Sequence, residues 1–220
     1  MKTLLKAKPA LLALVIGLGI LAQNQRAEAA PLETALVAGG CFWCVEADFE
    51  KVKGVKSAVS GFAGGTATNP SYKQVTKGGT GHYEAVQITY DPDQVSYGQI
   101  INMFFRSVDP TDAGGQFCDR GESYRTAIFA SNSAQKGTAE KEKAKAQSDL
   151  GQQIVTPILG AAKFYPASDA HQDYYKSGKR VVTRAGVKTK AEAYKFYRAS
   201  CGRDARVKQL WGSSAPFVGG

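Results

Sequence analysis

The sequence predicts an α+β fold, in which one sheet is built around a ferredoxin-like split β-α-β unit and helices pack against it. Segments with strand character alternate along the chain with segments whose apolar residues recur at helical spacing. Two successive β-α-β groups match the order of a split unit. Because no internal repeat and no linker divides the chain, we expect a single domain over residues 30–220.

The first β-α-β group begins with an apolar strand at residues 34–38, which Gly39 and Gly40 end. A helix follows, because apolar residues recur at helical spacing at Phe42, Val45, Phe49 and Val52. Residues 55–62 are predicted as the second strand, and residues 63–70 as a loop.

The second group contains the clearest strand, residues 82–90, where apolar and polar residues alternate. Ser96 caps an amphipathic helix whose apolar face is formed by Tyr97, Ile100, Ile101, Phe104, Phe105 and Val108. A long polar loop at residues 109–121 leads into a strand at residues 124–130.

The last third of the domain is predicted to contain a polar helix at residues 133–150 and a strand at residues 154–164, interrupted near Pro157. Short helices and a Gly/Ser/Pro-rich tail follow Ala170. The C-terminal region is extended from about Lys176 onward.

Residues 1–29 have the layout of a secretory signal peptide: a basic start, an apolar run and a small-x-small pattern at Ala27–Ala29. The apolar run contains 13 residues, which is too short to cross a bilayer. We therefore expect the protein to be exported, and to be periplasmic or secreted after cleavage.

The charge pattern excludes several classes of partner. The net charge of +9 falls to +6 in residues 30–220, because residues 1–29 carry four basic residues and one acid. The basic residues are scattered, which argues against nucleic-acid binding, and no stable membrane partner is expected. Two histidines and a single close pair of cysteines do not form the usual pattern of a metal site.

Cys41 has the surroundings of a nucleophile. It follows a strand and a Gly-Gly turn, and it precedes a helix. Unpaired N–H groups at a helix N-terminus lower the pKa of a nearby thiol. Glycines allow the backbone to approach the sulfur closely.

Cys44 lies at the spacing of a redox pair, so it is a candidate to resolve an oxidised Cys41. A static disulfide is the alternative interpretation. Cys118 and Cys201 stand alone in the sequence, which disfavours zinc. Four cysteines are too few for a disulfide-stabilised scaffold, so we expect them to serve chemistry.

Two features near Cys41 point to the type of substrate. Phe42 faces the predicted core, whereas Trp43 lies beside the thiol, where an aromatic wall suits a methyl–sulfur group. Glu84 shares a strand face with Val86, so burial would raise its pKa and make it a general acid. A solvent-exposed Glu84 at the strand end is an equal alternative.

The motifs around these residues resemble those of the A-type peptide methionine sulfoxide reductases. The matching segments are Gly-Cys-Phe-Trp at 40–43, Gly-His-x-Glu-Ala-Val at 81–86, Asp-Pro-Thr at 109–111, Asp-x-Gly-x-x-Tyr-Arg at 119–125 and the run 165–172. The resemblance covers roughly residues 34–175, which is nearly all of the predicted core.

This resemblance implies that Cys41 attacks the sulfoxide sulfur and that Glu84 protonates its oxygen. It implies that the hydroxyls of Tyr72 and Tyr124 hold that oxygen. Cys41 then passes through a sulfenic acid and a disulfide, and a thioredoxin-like dithiol protein restores the enzyme.

The resemblance also implies a substrate site. Phe42 and Trp43 would enclose the substrate methyl group, and Asp119 would contact substrate or water. The implied substrate is the S epimer of methionine sulfoxide, either free or in oxidised proteins, and neither a metal nor an organic cofactor is implied.

The choice of resolving cysteine stays open in the sequence. Many family members carry Gly at the position of Cys44 and recycle through cysteines in a C-terminal coil. Here Cys201 precedes a short charged helix, and residues are added between 176 and 194. Cys44 is slightly favoured as the resolving thiol and Cys201 as a second relay, whereas Cys118 is either close to the site or a packed thiol.

Two rival functions fit parts of the sequence. A general thiol–disulfide oxidoreductase would use the Cys-x-x-Cys pair alone, and a binding module would hold static disulfides. The aromatic pair between the thiols and the motif around Glu84 disfavour the oxidoreductase.

Overall fold

The computed structural model describes residues 30–219, so the predicted signal peptide at residues 1–29 lies outside the described residues. The strands are β1 (Glu33–Gly39), β2 (Val55–Ala63), β3 (Tyr83–Tyr90), β4 (Gly115–Gln116), β5 (Asp119–Arg120), β6 (Thr126–Phe129), β7 (Ile158–Leu159), β8 (Phe164–Pro166), β9 (Arg180–Thr183) and β10 (Gly186–Thr189). The helices are α1 (Phe42–Phe49), α2 (Tyr72–Lys77), α3 (Tyr97–Phe105), α4 (Ser133–Leu150), α5 (Lys190–Ser200) and α6 (Arg203–Trp211). Within residues 30–219 no helix combines the length and apolar character that a membrane crossing requires.

The central sheet confirms the predicted α+β fold. Its six strands lie in the order β7-β6-β1-β3-β2-β8. Strand β3 lies between β1 and β2 and is antiparallel to both, so β1-α1-β2 is the predicted split β-α-β unit. Strands β6 and β7 pair in parallel, which makes the sheet mixed.

The two faces of β3 show why this sheet folds as it does. Because side chains alternate along a strand, Glu84, Val86, Ile88 and Tyr90 point to one face. Helix α1 covers this face together with α3, and their apolar residues form the main core. A smaller cluster that includes Tyr83 occupies the opposite face.

The predicted strand at residues 154–164 is wrong in detail. The segment forms two short strands on opposite edges of the sheet, β7 beside β6 and β8 beside β2. Gly160 and the small residues after it separate the two strands, because they offer little side-chain surface to hold a continuous one.

The sequence analysis did not predict one short helix and two short hairpins. Helix α2 is too short to show a period, although the Ser71–Gln74 capping box marks its start. Strands β4 and β5 form a hairpin inside the predicted loop at 109–121. Strands β9 and β10 form a second hairpin in the region where only short helices were expected.

Two buried arginines attach the C-terminal helices to the sheet domain. Arg198 of α5 donates to Asp48 of α1 at 2.8 Å and also pairs with Asp204. Arg203 of α6 donates to the backbone oxygens of Gly39 and Ser107. The region after residue 176 is therefore part of the folded core.

Asp48 is the carboxylate on which this attachment depends. Burial raises the pKa of Asp48 even though Arg198 and Arg203 lower it, which shows how strongly the site is desolvated. Removing one member of such a buried pair leaves the other charge uncompensated.

We predict that Asp48→Asn lowers the free energy of unfolding by about 3–5 kcal/mol, because Arg198 would keep its buried charge without its principal partner. Urea denaturation measures the change. Asp204→Asn is the matched control on the same guanidinium, and we expect it to cost less than about 1 kcal/mol because Asp204 is partly exposed. Equal losses of unfolding free energy in the two variants would contradict the role of Asp48 as the principal partner of Arg198.

Candidate active site

A cavity of about 500 Å³ opens at the start of α1, and it brings together every residue that the sequence placed in the site. Its walls include Cys41, Phe42, Trp43, Cys44, Tyr72, Glu84, Asp119, Tyr124 and Cys201. These residues come from segments up to 160 positions apart in the chain. Cys118, whose place the sequence left open, also lines the cavity.

The turn before α1 requires glycine. Gly40 has a φ of +78°, in the left-handed region that side chains disfavour. A Cβ atom at Gly40 would lie 2.5 Å from the Cβ of Gln116. Cys41 then occupies the N-cap position of α1, and the N–H of Cys44 donates to the carbonyl of Cys41 at 3.0 Å. The turn thus places both sulfurs at the cavity.

Glu84 is buried, with 1% of its surface exposed, which decides between the two interpretations of its strand position. Its Oε2 accepts the backbone N–H of Phe42 at 3.0 Å, whereas its Oε1 is buried without a partner in residues 30–219. Burial raises the pKa of Glu84 to about 8, and the charges of Asp119 and Cys44 act in the same direction. Glu84 is therefore largely a neutral acid near pH 7, with a free oxygen beside the cavity.

The structure corrects the expectation that the helix N-terminus ionises Cys41. The first N–H of α1 is used by Glu84, so it does not face the sulfur. The hydrogen bond to Cys44, burial and the nearby acids Glu84 and Asp119 raise the pKa of Cys41. Cys41 therefore keeps its proton in this arrangement.

Cys44 is the more acidic member of the thiol pair. The pKa of Cys44 is lowered to about 7, first by the hydrogen bond from Cys41 and then by the charges of Arg203 and Arg198, against the effect of burial. Both thiols are free in the structure. The sequence analysis missed the two arginines, because they lie about 150 residues downstream of the cysteine that they affect.

Two hydroxyls lie opposite Glu84 in the cavity. Burial raises the pKa values of Tyr72 and Tyr124, and the negative charge of Glu84 raises them further. Both groups therefore stay protonated and can donate to an oxygen atom held between them.

Asp119 contributes a third oxygen-bearing group on the same side. Burial raises its pKa, although Arg203 lowers it. It follows Cys118 directly at the tip of the β4–β5 hairpin, where Phe117 adopts a left-handed φ of +54°.

An aromatic wall closes the side of the cavity next to the thiols. Trp43 stacks on Tyr174 with ring centroids 3.8 Å apart, and on His171 at 5.8 Å. His171 also stacks on Tyr72 at 4.2 Å, and its ring lies 5.6 Å from that of Phe42. Tyr174 was missed as a wall residue, because it lies just beyond the matching run at 165–172. His171 lies in that run and packs against the rings of Trp43 and Tyr72. The wall presents polarisable surface to a thioether-sized group.

A disulfide joins Cys118 to Cys201 at the outer side of the cavity. Cys118 lies in the turn of the β4–β5 hairpin, and Cys201 follows the last residue of α5. Cys118 is therefore not an isolated packed thiol. Since these two sulfurs are joined, the cavity contains one dithiol and one disulfide.

Comparison with known proteins agrees with this geometry. A sequence profile described as peptide methionine sulfoxide reductase matches residues 33–204. Peptide methionine sulfoxide reductase MsrA 2 of Rhizobium meliloti is 50% identical over 189 residues, which are 86% of this chain and 88% of the relative. MsrA 2 of Caulobacter vibrioides is 47% identical over 197 residues, 89% of this chain and 94% of the relative.

Solved structures of the same kind share the fold. Methionine sulfoxide reductase A of Corynebacterium diphtheriae superimposes with a TM-score of 0.58 and 32% identity, over 65% of this chain and 73% of that one. The reduced form of Mxr1 from Saccharomyces cerevisiae gives a TM-score of 0.62 and 29% identity, over 68% of this chain and 88% of that one.

The burial of Glu84 predicts a pH-dependent cost in stability. The folded protein holds this proton up to about pH 8, whereas the unfolded chain releases it near pH 4.3. Because the folded state binds more protons in this range, the contribution of Glu84 to stability is lost as pH rises.

We expect Glu84→Gln to remove this dependence. Between pH 5.5 and pH 9, wild type should lose roughly 3 kcal/mol more of its unfolding free energy than the variant, measured by urea denaturation. Glu140→Gln on the exposed side of α4 is the control and should follow wild type. Parallel pH curves for wild type and Glu84→Gln would show that Glu84 is ionised in the folded protein.

Proposed function

The chain belongs to the peptide methionine sulfoxide reductase family, and from this premise we propose that it reduces methionine sulfoxide with Cys41 as the nucleophile. One observation carries the assignment. Beside the Cys41 thiol lies a buried carboxyl group, Glu84, that is largely neutral near pH 7 and has one oxygen without a partner in residues 30–219. This arrangement supplies an attacking sulfur and a proton donor to the same small cavity.

The first step transfers oxygen from the substrate to Cys41. As the Cys41 sulfur attacks the sulfoxide sulfur, its proton passes along the hydrogen bond to Cys44, the thiol with the lower pKa, about 7. Glu84 gives its proton to the sulfoxide oxygen, which Tyr72 and Tyr124 hold by hydrogen bonds. The sulfur–oxygen bond of the substrate breaks, and the hydroxyl passes to the Cys41 sulfur as the new bond between the two sulfurs breaks. Methionine leaves, and Cys41 becomes a sulfenic acid.

The aromatic wall orients the substrate for this attack. The thioether end contacts Phe42 and Trp43, which leaves the oxygen on the side of Glu84 and the two tyrosines. An arrangement of this kind distinguishes the two sulfoxide epimers, because exchanging the oxygen and the lone pair would direct the oxygen toward the wall. We propose that the S epimer is the substrate.

The second step forms a disulfide between Cys41 and Cys44. The Cys44 sulfur attacks the sulfur of the sulfenic acid, and the hydroxyl leaves as water with the proton that Cys44 had received. Helix geometry holds the two residues one turn apart, so this step needs no rearrangement of the chain.

The third step passes the disulfide outward. A reduced Cys201 or Cys118 attacks the Cys41–Cys44 disulfide, which frees one inner thiol and forms a mixed disulfide. The other outer thiol then attacks this mixed disulfide, which frees the second inner thiol and leaves Cys118 bonded to Cys201. The arrangement in the structure, with inner thiols free and outer disulfide formed, supports this order. A thioredoxin-like dithiol protein then reduces the outer disulfide, and neither a metal nor an organic cofactor takes part. The signal-peptide pattern supports the further proposal that these steps occur after export, on oxidised proteins or free methionine sulfoxide.

Reduction of the separated epimers tests the proposed activity directly. We expect the fully reduced protein to convert the S epimer to methionine and to lose free thiols in proportion, while the R epimer remains. Reduction of insulin disulfides under the same conditions measures the rival activity, that of a general thiol–disulfide oxidoreductase. Thiol counts that stay constant with both epimers would contradict the proposal.

The proposed role of Cys44 predicts the behaviour of Cys44→Ser. This variant should still form about one equivalent of methionine per enzyme, because Cys41 performs the first step. Steady-state turnover with dithiothreitol should fall by about tenfold or more, because a thiol held beside Cys41 reacts far faster than one from solution. Rapid-quench measurement of methionine separates the two phases.

Three variants act as controls for this prediction. Cys41→Ser should form no methionine. Cys118→Ser and Cys201→Ser should turn over with dithiothreitol but lose turnover with a thioredoxin-like protein as the reductant. Full steady-state turnover in Cys44→Ser would show that another thiol resolves Cys41.

A further inference from the structure

The β9–β10 hairpin is a feature that the proposed chemistry does not use. It lies within the segment between residues 176 and 194, which the sequence analysis identified as added. Strands Arg180–Thr183 and Gly186–Thr189 pair in antiparallel register, so Arg184 and Ala185 form the turn. The hairpin adds a projecting element beside the cavity.

The base of the hairpin is attached to the aromatic side of the cavity. Val181 packs on the cluster that contains Cys44, Tyr174 and Tyr194, with Trp43 at its border. The backbone N–H of Lys190 donates to Lys179 at 2.8 Å and closes the base. The hairpin therefore continues the wall that holds the substrate thioether.

The tip of the hairpin reaches the cavity with an unpaired charge. Arg184 lies among the residues that line the cavity together with Cys41 and Trp43. It is exposed, and its guanidinium has no ion pair or hydrogen bond to any residue in the range 30–219. A guanidinium placed in this way is available to a carboxylate from outside the protein.

The remaining surface of the hairpin is apolar and basic. Val182 and Val187 are 86% and 63% exposed. No acidic residue occurs in the sequence from Lys176 to Ala191. Val182 and Val187 pair on the face opposite Val181, so the hairpin contributes mainly positive charge at the edge of the cavity. Unpaired positive charge there is suited to a polypeptide that carries acidic residues.

We propose that the β9–β10 hairpin binds the polypeptide on either side of an oxidised methionine, and that Arg184 selects substrates with Asp or Glu near that methionine. This inference rests on the proposed reductase function, because it places the oxidised side chain at Cys41. Arg184 and Trp43 line the same cavity, so the residues that flank a bound methionine sulfoxide come close to the Arg184 guanidinium. The enzyme thereby distinguishes protein-bound from small substrates.

Peptides that differ at one flanking position test the selection. The substrates are S-epimer heptapeptides with Glu, Gln or Lys beside the sulfoxide, and N-acetylmethionine sulfoxide amide, which has no carboxylate. Dithiothreitol serves as the reductant, so that a protein reductant does not affect the result. The measured quantity is the ratio of kcat/KM for the Glu peptide to kcat/KM for the Gln peptide.

For wild type we expect a ratio of about five in favour of the Glu peptide, since an exposed ion pair contributes up to about that factor. Arg184→Gln should lower the ratio to about one, and Arg184→Glu should make the Lys peptide the better substrate. Arg184→Lys should retain most of the preference. Raising the salt concentration should lower the wild-type ratio, because the charges are exposed.

Lys141→Glu is the matched control for Arg184→Glu. It makes the same change in net charge as that variant, on an exposed part of α4 outside the cavity. We expect it to keep both the preference and the activity of wild type. A preference lost equally in Lys141→Glu would indicate long-range attraction instead of contact at the hairpin.

Three other outcomes would overturn the proposal. A wild-type ratio of one would exclude selection for acidic flanks. If Arg184→Gln lowered kcat/KM equally for all peptides and for the small amide, Arg184 would have a structural role. A defect that appears only with a thioredoxin-like protein as reductant would make the hairpin a docking surface for that partner. Reduction of the small amide by wild type tests the reductase function separately, so failure of the two proposals is distinguishable.

Discussion

The backbone N–H of Phe42 donates to Glu84, and this bond joins the start of α1 to β3 beneath the cavity. It fixes the acid beside the cysteine that precedes the helix, and it leaves the second carboxyl oxygen of Glu84 without a partner in residues 30–219. A helix N-terminus favours a negative charge, yet burial outweighs it here, as the raised pKa of about 8 for Glu84 shows. The other groups of the site are arranged around this pair.

The C-terminal region after residue 176 contributes residues to the site. Arg198 and Arg203 attach α5 and α6 to α1 and β1, and Cys201 lies between these two helices. The same two guanidinium groups lower the pKa of Cys44. One buried network therefore holds the outer disulfide near the cavity and supplies positive charge to the inner thiol pair.

Local patterns in the sequence predicted the split β-α-β unit and the positions of Cys41 and Glu84, because the alternation in β3 and the turn at Gly40 are local properties. The roles of Tyr72, Tyr124 and Asp119 came from the family resemblance. The same patterns misjudged Cys41, since its protonation depends on Glu84 and Asp119, which are distant in the sequence. They also missed the hairpin of β9 and β10, where exposed valines show no buried face. Interactions between distant segments determine these features, and one sequence does not reveal them.

Charge is distributed unequally around the two inner thiols, and this supports the different roles proposed for the two cysteines. Cys41 faces the acids Glu84 and Asp119, whereas Cys44 faces Arg198 and Arg203. In the proposed first step, Cys41 attacks as its proton moves to Cys44 while the substrate oxygen accepts a proton from Glu84. Transfer of that proton leaves a carboxylate beside Cys41, and this negative charge disfavours a thiolate there. The same charge favours completion of the disulfide, because sulfur in a disulfide carries no charge.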